Sequence, residues 1–301
     1  MRSNLISSSA AVLKRNKRYV VWFYLMNLAL AFVGTEAFST HVHGILDHSL
    51  YAGTLLHGFD LATLAELLSR PEFGPMQSST MPSMMLAVLF LLASVIFMPG
   101  VLLGFSSDHR ISRQEFFRSC GHNVWRFVRL FVLFAIVAGI VGGILFGLQG
   151  ALVKGVDQAA NDDRLPSLVH FLSLCVIFLV MTVIRIWFDL AQTDVVLKDE
   201  NAVRKSLSWG FRSTFRNLGR LLGSYVAISI VAAIILVVGI VVWHLIVPPS
   251  SVVGAFLVSQ VILLLLLAMR FWQRAAAVSF HVRNSVEASV EAESRLAAIP
   301  A

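Results

Sequence analysis

From Leu221 to Met269 the chain runs 49 residues without one Asp, Glu, Lys or Arg, and Pro248-Pro249 falls near the middle of the run. A membrane-spanning helix needs about 20 apolar residues, so the run has room for two, and the proline pair, unable to donate backbone hydrogen bonds, marks the turn between them. Four more charge-free runs occur, Tyr19–Thr35, Phe73–Ser107, Leu130–Val153 and Leu165–Ile184. Each is near or above the length of a span. Backbone groups in lipid must pair within their own segment, and apolar stretches this long do so as helices. The expected fold is therefore an all-α polytopic membrane protein with six transmembrane helices, 19–38, 82–104, 128–150, 167–189, 221–247 and 252–272, arranged in three hairpins with short amphipathic interfacial helices. A basic tail over 1–18, an external loop over 39–81 and a second tail over 273–301 complete the expected layout. A charged fraction of 14% against 57% hydrophobic agrees with it, since soluble domains carry about 25% charged residues.

The pI of about 9.9 invites a nucleic-acid reading, but the placement of the basic residues argues against one. Of 24 Lys and Arg, 21 fall on the segments that alternating spans put on one side, and only Arg70, Lys154 and Arg164 fall on the other. This is the positive-inside asymmetry. It predicts both termini in the cytoplasm and anionic lipid headgroups as the polyanion the basic residues meet. The first apolar segment follows an 18-residue basic lead without a well-placed small-x-small site, so it is expected to remain as an uncleaved first helix, with cleavage as the alternative. Cys120 and Cys175 fall on the cytoplasmic side and within the fourth span, and neither suggests a disulfide or a metal site.

Basic, aromatic-rich segments precede the first, third and fifth spans, and the latter two read as short helices in the membrane interface. In one, Val203, Leu207, Phe211 and Phe215 recur every four residues, while Arg204, Lys205, Arg212 and Arg216 are free to reach anionic headgroups. In the other, Ser112-x-x-Glu115 has the spacing of a capping box. On the opposite side, Asp60 is a good N-cap for a short amphipathic helix through Leu61, Leu64 and Leu68 that Pro71 would close.

Chemistry-bearing residues are sparse. His41, His43, Asp47 and His48, with His57 nearby, form the chain's one metal-like cluster, since imidazole with carboxylate suits zinc or copper, although the spacing matches no recognised site. No ionisable group lies near the centre of any span, which disfavours a proton-coupled pump, and Arg185 with Asp189 reads as an interfacial pair one turn apart. Asn27 and Gln260 are the mid-span polar residues, able to line a solute path or to glue helices. Gly139, Gly143 and Gly147, and likewise Gly219 and Gly223, recur at four-residue spacing and are expected to let neighbouring backbones approach closely. No nucleophile elbow, phosphate loop or zinc-protease helix is present, so no catalytic residue and no cofactor are expected.

One segment resembles a known pattern. Arg185 to Tyr225, reading RIWFDLAQTDVVLKDENAVRKSLSWGFRSTFRNLGRLLGSY, is similar to uncharacterised bacterial six-helix inner-membrane proteins and, more loosely, to the membrane domain attached to some glycerophosphodiester phosphodiesterases. Arg185, Asp189, Asp199-Glu200 and Phe215-Arg216-Asn217 occupy the pattern's places over about 40 residues. The resemblance implies a bacterial inner membrane and brings no catalytic residue, because the phosphodiesterase chemistry belongs to a soluble domain outside this pattern. The sequence thus points first to a non-catalytic membrane module that packs against a partner protein or itself. A channel or transporter subunit for an uncharged or lipidic solute is the alternative, and a metal-dependent enzyme using the outer-loop histidines comes third.

Overall fold

A computed structural model of the protein describes residues 5–46, 76–159, 164–199, 202–248 and 251–297, with side chains described at all of these except 34–46, 76–83, 159, 252 and 288–297. Eight helices make up this part: α1 Leu5–Arg15, α2 Lys17–Leu46, α3 Met76–Ser106, α4 Arg113–Ala159, α5 Arg164–Leu197, α6 Val203–Arg216, α7 Leu218–Ile246 and α8 Val252–Ala297. The described residues hold no strand. Among them, five helices are long and apolar enough to cross a membrane, namely α3, α4, α5, α7 and α8, so the chain has the make-up of a multi-pass membrane protein. Side chains along them agree with that: Ile136, Ile140, Ile144 and Leu148 on α4 are each more than half exposed. Such a surface is costly in water and at home in lipid.

The helix ends follow from local chemistry. Ser112 accepts the Glu115 amide at 3.1 Å while Glu115 accepts the Ser112 amide at 2.8 Å, the reciprocal pair that the spacing predicts at the start of α4. From there α4 continues unbroken for 47 residues. This corrects the separate interfacial helix expected over 113–129. With no proline between the cap and the apolar run, nothing interrupts the hydrogen-bond ladder. α6 is separate, as expected, ending where Asn217 leaves helical geometry at φ −121° and ψ 28°. Asp199, at φ 50°, turns the chain between α5 and α6 in the left-handed conformation that Asp tolerates better than most residues.

The chain divides into two compact units, one of Met1–Arg15, Val95–Ser229 and Trp272–Ala301, the other of Asn16–Ser94 and Ile230–Phe271. In the first, α5 packs along α4 and carries α6 on its other flank. Its core includes Val101, Phe127, Leu130, Ile186, Leu190 and Tyr225. Ala275, Ala276, Ala277 and Val278 are buried in the same core. Gln273 to His281, the first part of the stretch expected as a tail, are therefore packed into this unit, and so is α1, whose Leu5 and Ser9 are buried. In the second unit, the rings of Phe23 and Phe271 meet edge to face at 5.1 Å, and Gly239 lies against the side chain of Ile262.

The glycine expectation changes with the structure. A Cβ at Gly139, Gly143, Gly147, Gly219 or Gly223 would meet no atom within 4 Å, so these faces are open among the described residues. The close approaches lie elsewhere. At Gly100 a Cβ would run into the Phe116 ring and the Cys120 sulfur, and at Gly210 it would stand 2.9 Å from the Trp187 carbonyl oxygen and 3.1 Å from the Ala191 nitrogen.

Candidate functional site

A buried polar layer lies in the first unit, where α5, α6, α7 and α8 meet. It starts on α5, which carries two buried carboxylates, Asp189 and Asp194. Five residues apart on a helix of 3.6 per turn, they point to different neighbours.

Asp189 accepts the Tyr225 hydroxyl of α7 at 3.0 Å and lies 3.7 Å from the Nε of Arg185. Gln273 of α8 then donates from Nε2 to the Tyr225 carbonyl at 3.3 Å and to the Ser229 hydroxyl at 2.9 Å. Three helices are tied by one chain of hydrogen bonds. The Arg185–Asp189 pair expected at an interface is therefore half of a network, and the tyrosine supplies the stronger contact.

Asp194 faces the other way. Its Oδ1 is 2.7 Å from the Lys198 Nζ and 2.9 Å from the His281 Nε2 of α8. Above them lies Trp209 of α6, 4.6 Å from the imidazole ring and 4.8 Å beneath the lysine ammonium. A carboxylate held by an ammonium and an imidazole, under an indole that attracts cations, is electrostatically closed on itself. An Asp–His pair is also the beginning of a general-base arrangement. Here, however, the imidazole is buried and its Nδ1 meets no hydrogen-bond partner among the described residues.

A third carboxylate closes the layer from outside. Asp199 receives Arg126 Nη1 at 2.6 Å and His122 Nε2 at 3.0 Å, both from α4. Those hydrogen bonds, the arginine's first, hold its carboxyl below the usual range. Because the folded value is depressed, the contribution is present above the unfolded value and is lost as pH falls through the folded one.

α6 seats itself by a face that its apolar periodicity does not reveal. Val203, Ser206, Gly210, Ser213 and Thr214 are buried, and the Trp187 Nε1 donates to the Leu207 carbonyl at 2.8 Å. Of the expected lipid-facing stripe, Val203 is thus turned inward and Leu207 is half-buried, whereas Phe211 and Phe215 are exposed and stack at 4.5 Å. Arg204, Lys205, Arg212 and Arg216 are all exposed, as headgroup contact requires.

In the second unit, Asn27 lines an open cavity of about 610 Å³ with Phe90, Trp243, Ser259 and Arg270, among mostly apolar walls. Gln260 is not in that lining; its Oε1 accepts the Tyr24 hydroxyl at 3.1 Å. The two mid-span amides thus have different surroundings. His41 and His43 lie on α2 with side chains outside the described residues, and Asp47, His48 and His57, like the Asp60–Pro71 helix, lie outside the described residues altogether. Among the described residues no three His, Cys, Asp or Glu side chains stand together to hold a metal ion.

Asp194, His281, Trp209, Tyr225 and Gln273 were not marked by sequence reasoning. One signal was available: Asp194 and Lys198 at i, i+4 beside the Ala275-Ala276-Ala277 run, whose small side chains admit close helix packing around His281. The chain matches no protein-family model, and neither a curated protein nor a solved structure matches it.

Proposed function

We propose that the chain is a non-catalytic, six-span module of a bacterial inner membrane that acts by packing against another membrane protein or a second copy of itself. α2 is the sixth span in this reading, the spans form three hairpins, and both termini face the cytoplasm, as the distribution of basic residues supports. The observation that carries the proposal is the open face of α4. Gly139, Gly143 and Gly147 have the spacing that lets two backbones meet, and among the described residues nothing covers that face. The buried Asp189 and Asp194 support a structural use of these carboxylates, since each ties its helix to neighbouring helices through hydrogen bonds. Anionic lipid at Arg204, Lys205, Arg212 and Arg216 would fix the depth of α6, each near-surface basic residue adding about 1 kcal/mol.

Cysteine chemistry in native membranes tests this. Ile140→Cys, on the exposed side of α4 beside the glycines, is expected to form a crosslinked adduct with a second copy or another membrane protein, and Gly143→Leu is expected to abolish it. In the same set, Lys154→Cys and Ser208→Cys, both exposed, report from opposite sides of the membrane. An adduct indifferent to Gly143→Leu, or none at all, would sink the packing role; labelling of both reporters from one side would sink the topology.

The second reading, a channel or transporter subunit for an uncharged or lipidic solute, is supported by the cavity at Asn27. Asn27→Phe would fill it, and solute uptake that survives this change would count against transport through that space.

A further inference from the structure

The first unit contains a second polar concavity apart from the buried layer, a cavity of about 720 Å³ between α1, the start of α7 and the second half of α8. Its walls are of two kinds. Leu5, Ile6 and Ala10 of α1 with Gly223 of α7 supply an apolar side, and Arg220, Arg283 and Glu287 supply a charged rim. Trp272 braces it by donating from Nε1 to the Ser9 hydroxyl of α1 at 2.9 Å, which holds α1 in place as one wall. Arg283 directs its Nε toward Glu287 at 3.4 Å. Among the described lining residues, two guanidinium groups and one carboxylate give the rim a formal excess of positive charge.

We infer that this cavity binds the headgroup of an anionic phospholipid, with the phosphodiester between Arg220 and Arg283 and the first part of an acyl chain along Leu5, Ile6 and the open side of Gly223. Three observations converge on that ligand. The rim's net charge matches a phosphodiester, and guanidinium groups suit phosphate oxygens in geometry as well as in sign. The apolar wall has no use for an inorganic anion but fits the glycerol and acyl beginnings of a lipid. Arg220 opens α7, one of the helices apolar enough to cross a membrane, which sets the rim at the depth of headgroups. At Gly223 a Cβ would meet no atom within 4 Å, so the space beside it is accessible to a chain. The inference rests on α7 being a span and goes beyond the proposed packing role, since neither glycine face of α4 nor the α6 arginines take part.

The full chain in mild detergent, titrated with phosphatidylglycerol, phosphatidylcholine or inorganic phosphate and read by native mass spectrometry, tests the inference. Phosphatidylglycerol is expected to be retained in preference to phosphatidylcholine, and inorganic phosphate to be neither retained nor competitive. Arg220→Gln/Arg283→Gln is expected to weaken phosphatidylglycerol binding by about twenty-fivefold, the product of roughly fivefold for each near-surface basic charge. Gly223→Leu keeps both arginines and fills the cavity, and it is expected to reduce binding similarly, which maintains the test if the double variant does not fold. Equal retention of the two lipids, binding unchanged in both variants, or phosphate binding with the same arginine dependence would each overturn the assignment. The crosslinking at Ile140 is unaffected by any of these outcomes, so failure here and failure of the packing role are told apart.

Discussion

Replacing Asp194 with alanine is expected to destabilise the protein by about 3 kcal/mol, read as a large fall in thermal midpoint in detergent. Removing one partner of a buried, charge-assisted network costs about 3 to 5 kcal/mol because the remaining groups stay desolvated without their acceptor. The lower end applies here, since Lys198 is 48% exposed and can turn to water, whereas His281, at 3%, cannot. The control is Asp199→Ala. Asp199 has a shorter contact, 2.6 Å to Arg126, yet its side chain is 67% exposed, so its loss is expected to change stability little. A midpoint for Asp194→Ala no lower than that of Asp199→Ala would show that the Asp194 network does not hold the helices together. His281→Ala combined with Asp194→Ala should cost much less than the two separate losses added, because each change removes the same contact.

Gly210→Leu is the second large expected effect. Its Cβ would stand 2.9 Å from the Trp187 oxygen and 3.1 Å from the Ala191 nitrogen, and both are backbone atoms that cannot rotate away. α6 would have to lift from α5, breaking the Trp187 to Leu207 hydrogen bond and unseating the Trp209 ring above His281. Overpacking alone costs about 1 to 3 kcal/mol, and the lost contacts add to it. Proteolysis near residue 200 should accelerate along with the fall in thermal midpoint. Gly143→Leu makes the contrast, because its Cβ meets nothing within 4 Å among the described residues, and the isolated protein should tolerate it. Wild-type stability for Gly210→Leu would mean that α6 is only loosely seated on α5.

The contrast between those two glycines shows what hydropathy could and could not reveal. Five long apolar helices were legible because lipid demands long apolar runs, and the beginning of α4 was legible because Ser112 and Glu115 carry a complete local signal. The break that sets off α6 was legible too. Its seated face was not, since apolar periodicity marks a protein core only when the outside is water. On α6, Phe211 and Phe215 are exposed, while Ser206, Gly210, Ser213 and Thr214 pack inward because small side chains permit close approach. The same ambiguity hid the role of the glycines, whose spacing states that a helix could approach without stating where that helix comes from. Asp194 and His281 are 87 residues apart, and no local pattern joins partners at that separation. The continuation of α8 into the core escaped notice because a basic stretch after a span resembles a solvated tail, whereas Ala275 to Val278 are buried.

α4 has a mechanical consequence. At 1.5 Å per residue its 47 residues make a rod about 70 Å long, more than twice the roughly 30 Å of hydrocarbon it would cross. The rod has no joint between Gly143 and Arg126, some 25 Å apart along its axis. A neighbour that pressed on the glycine face and tilted α4 would therefore swing Arg126 and His122 like the far arm of a lever. Those two side chains grip Asp199, the residue at the turn from which α6 hangs. A displacement inside the bilayer would then reach the exposed carboxylate of Asp199, just past the end of α5, through the stiffness of α4 alone.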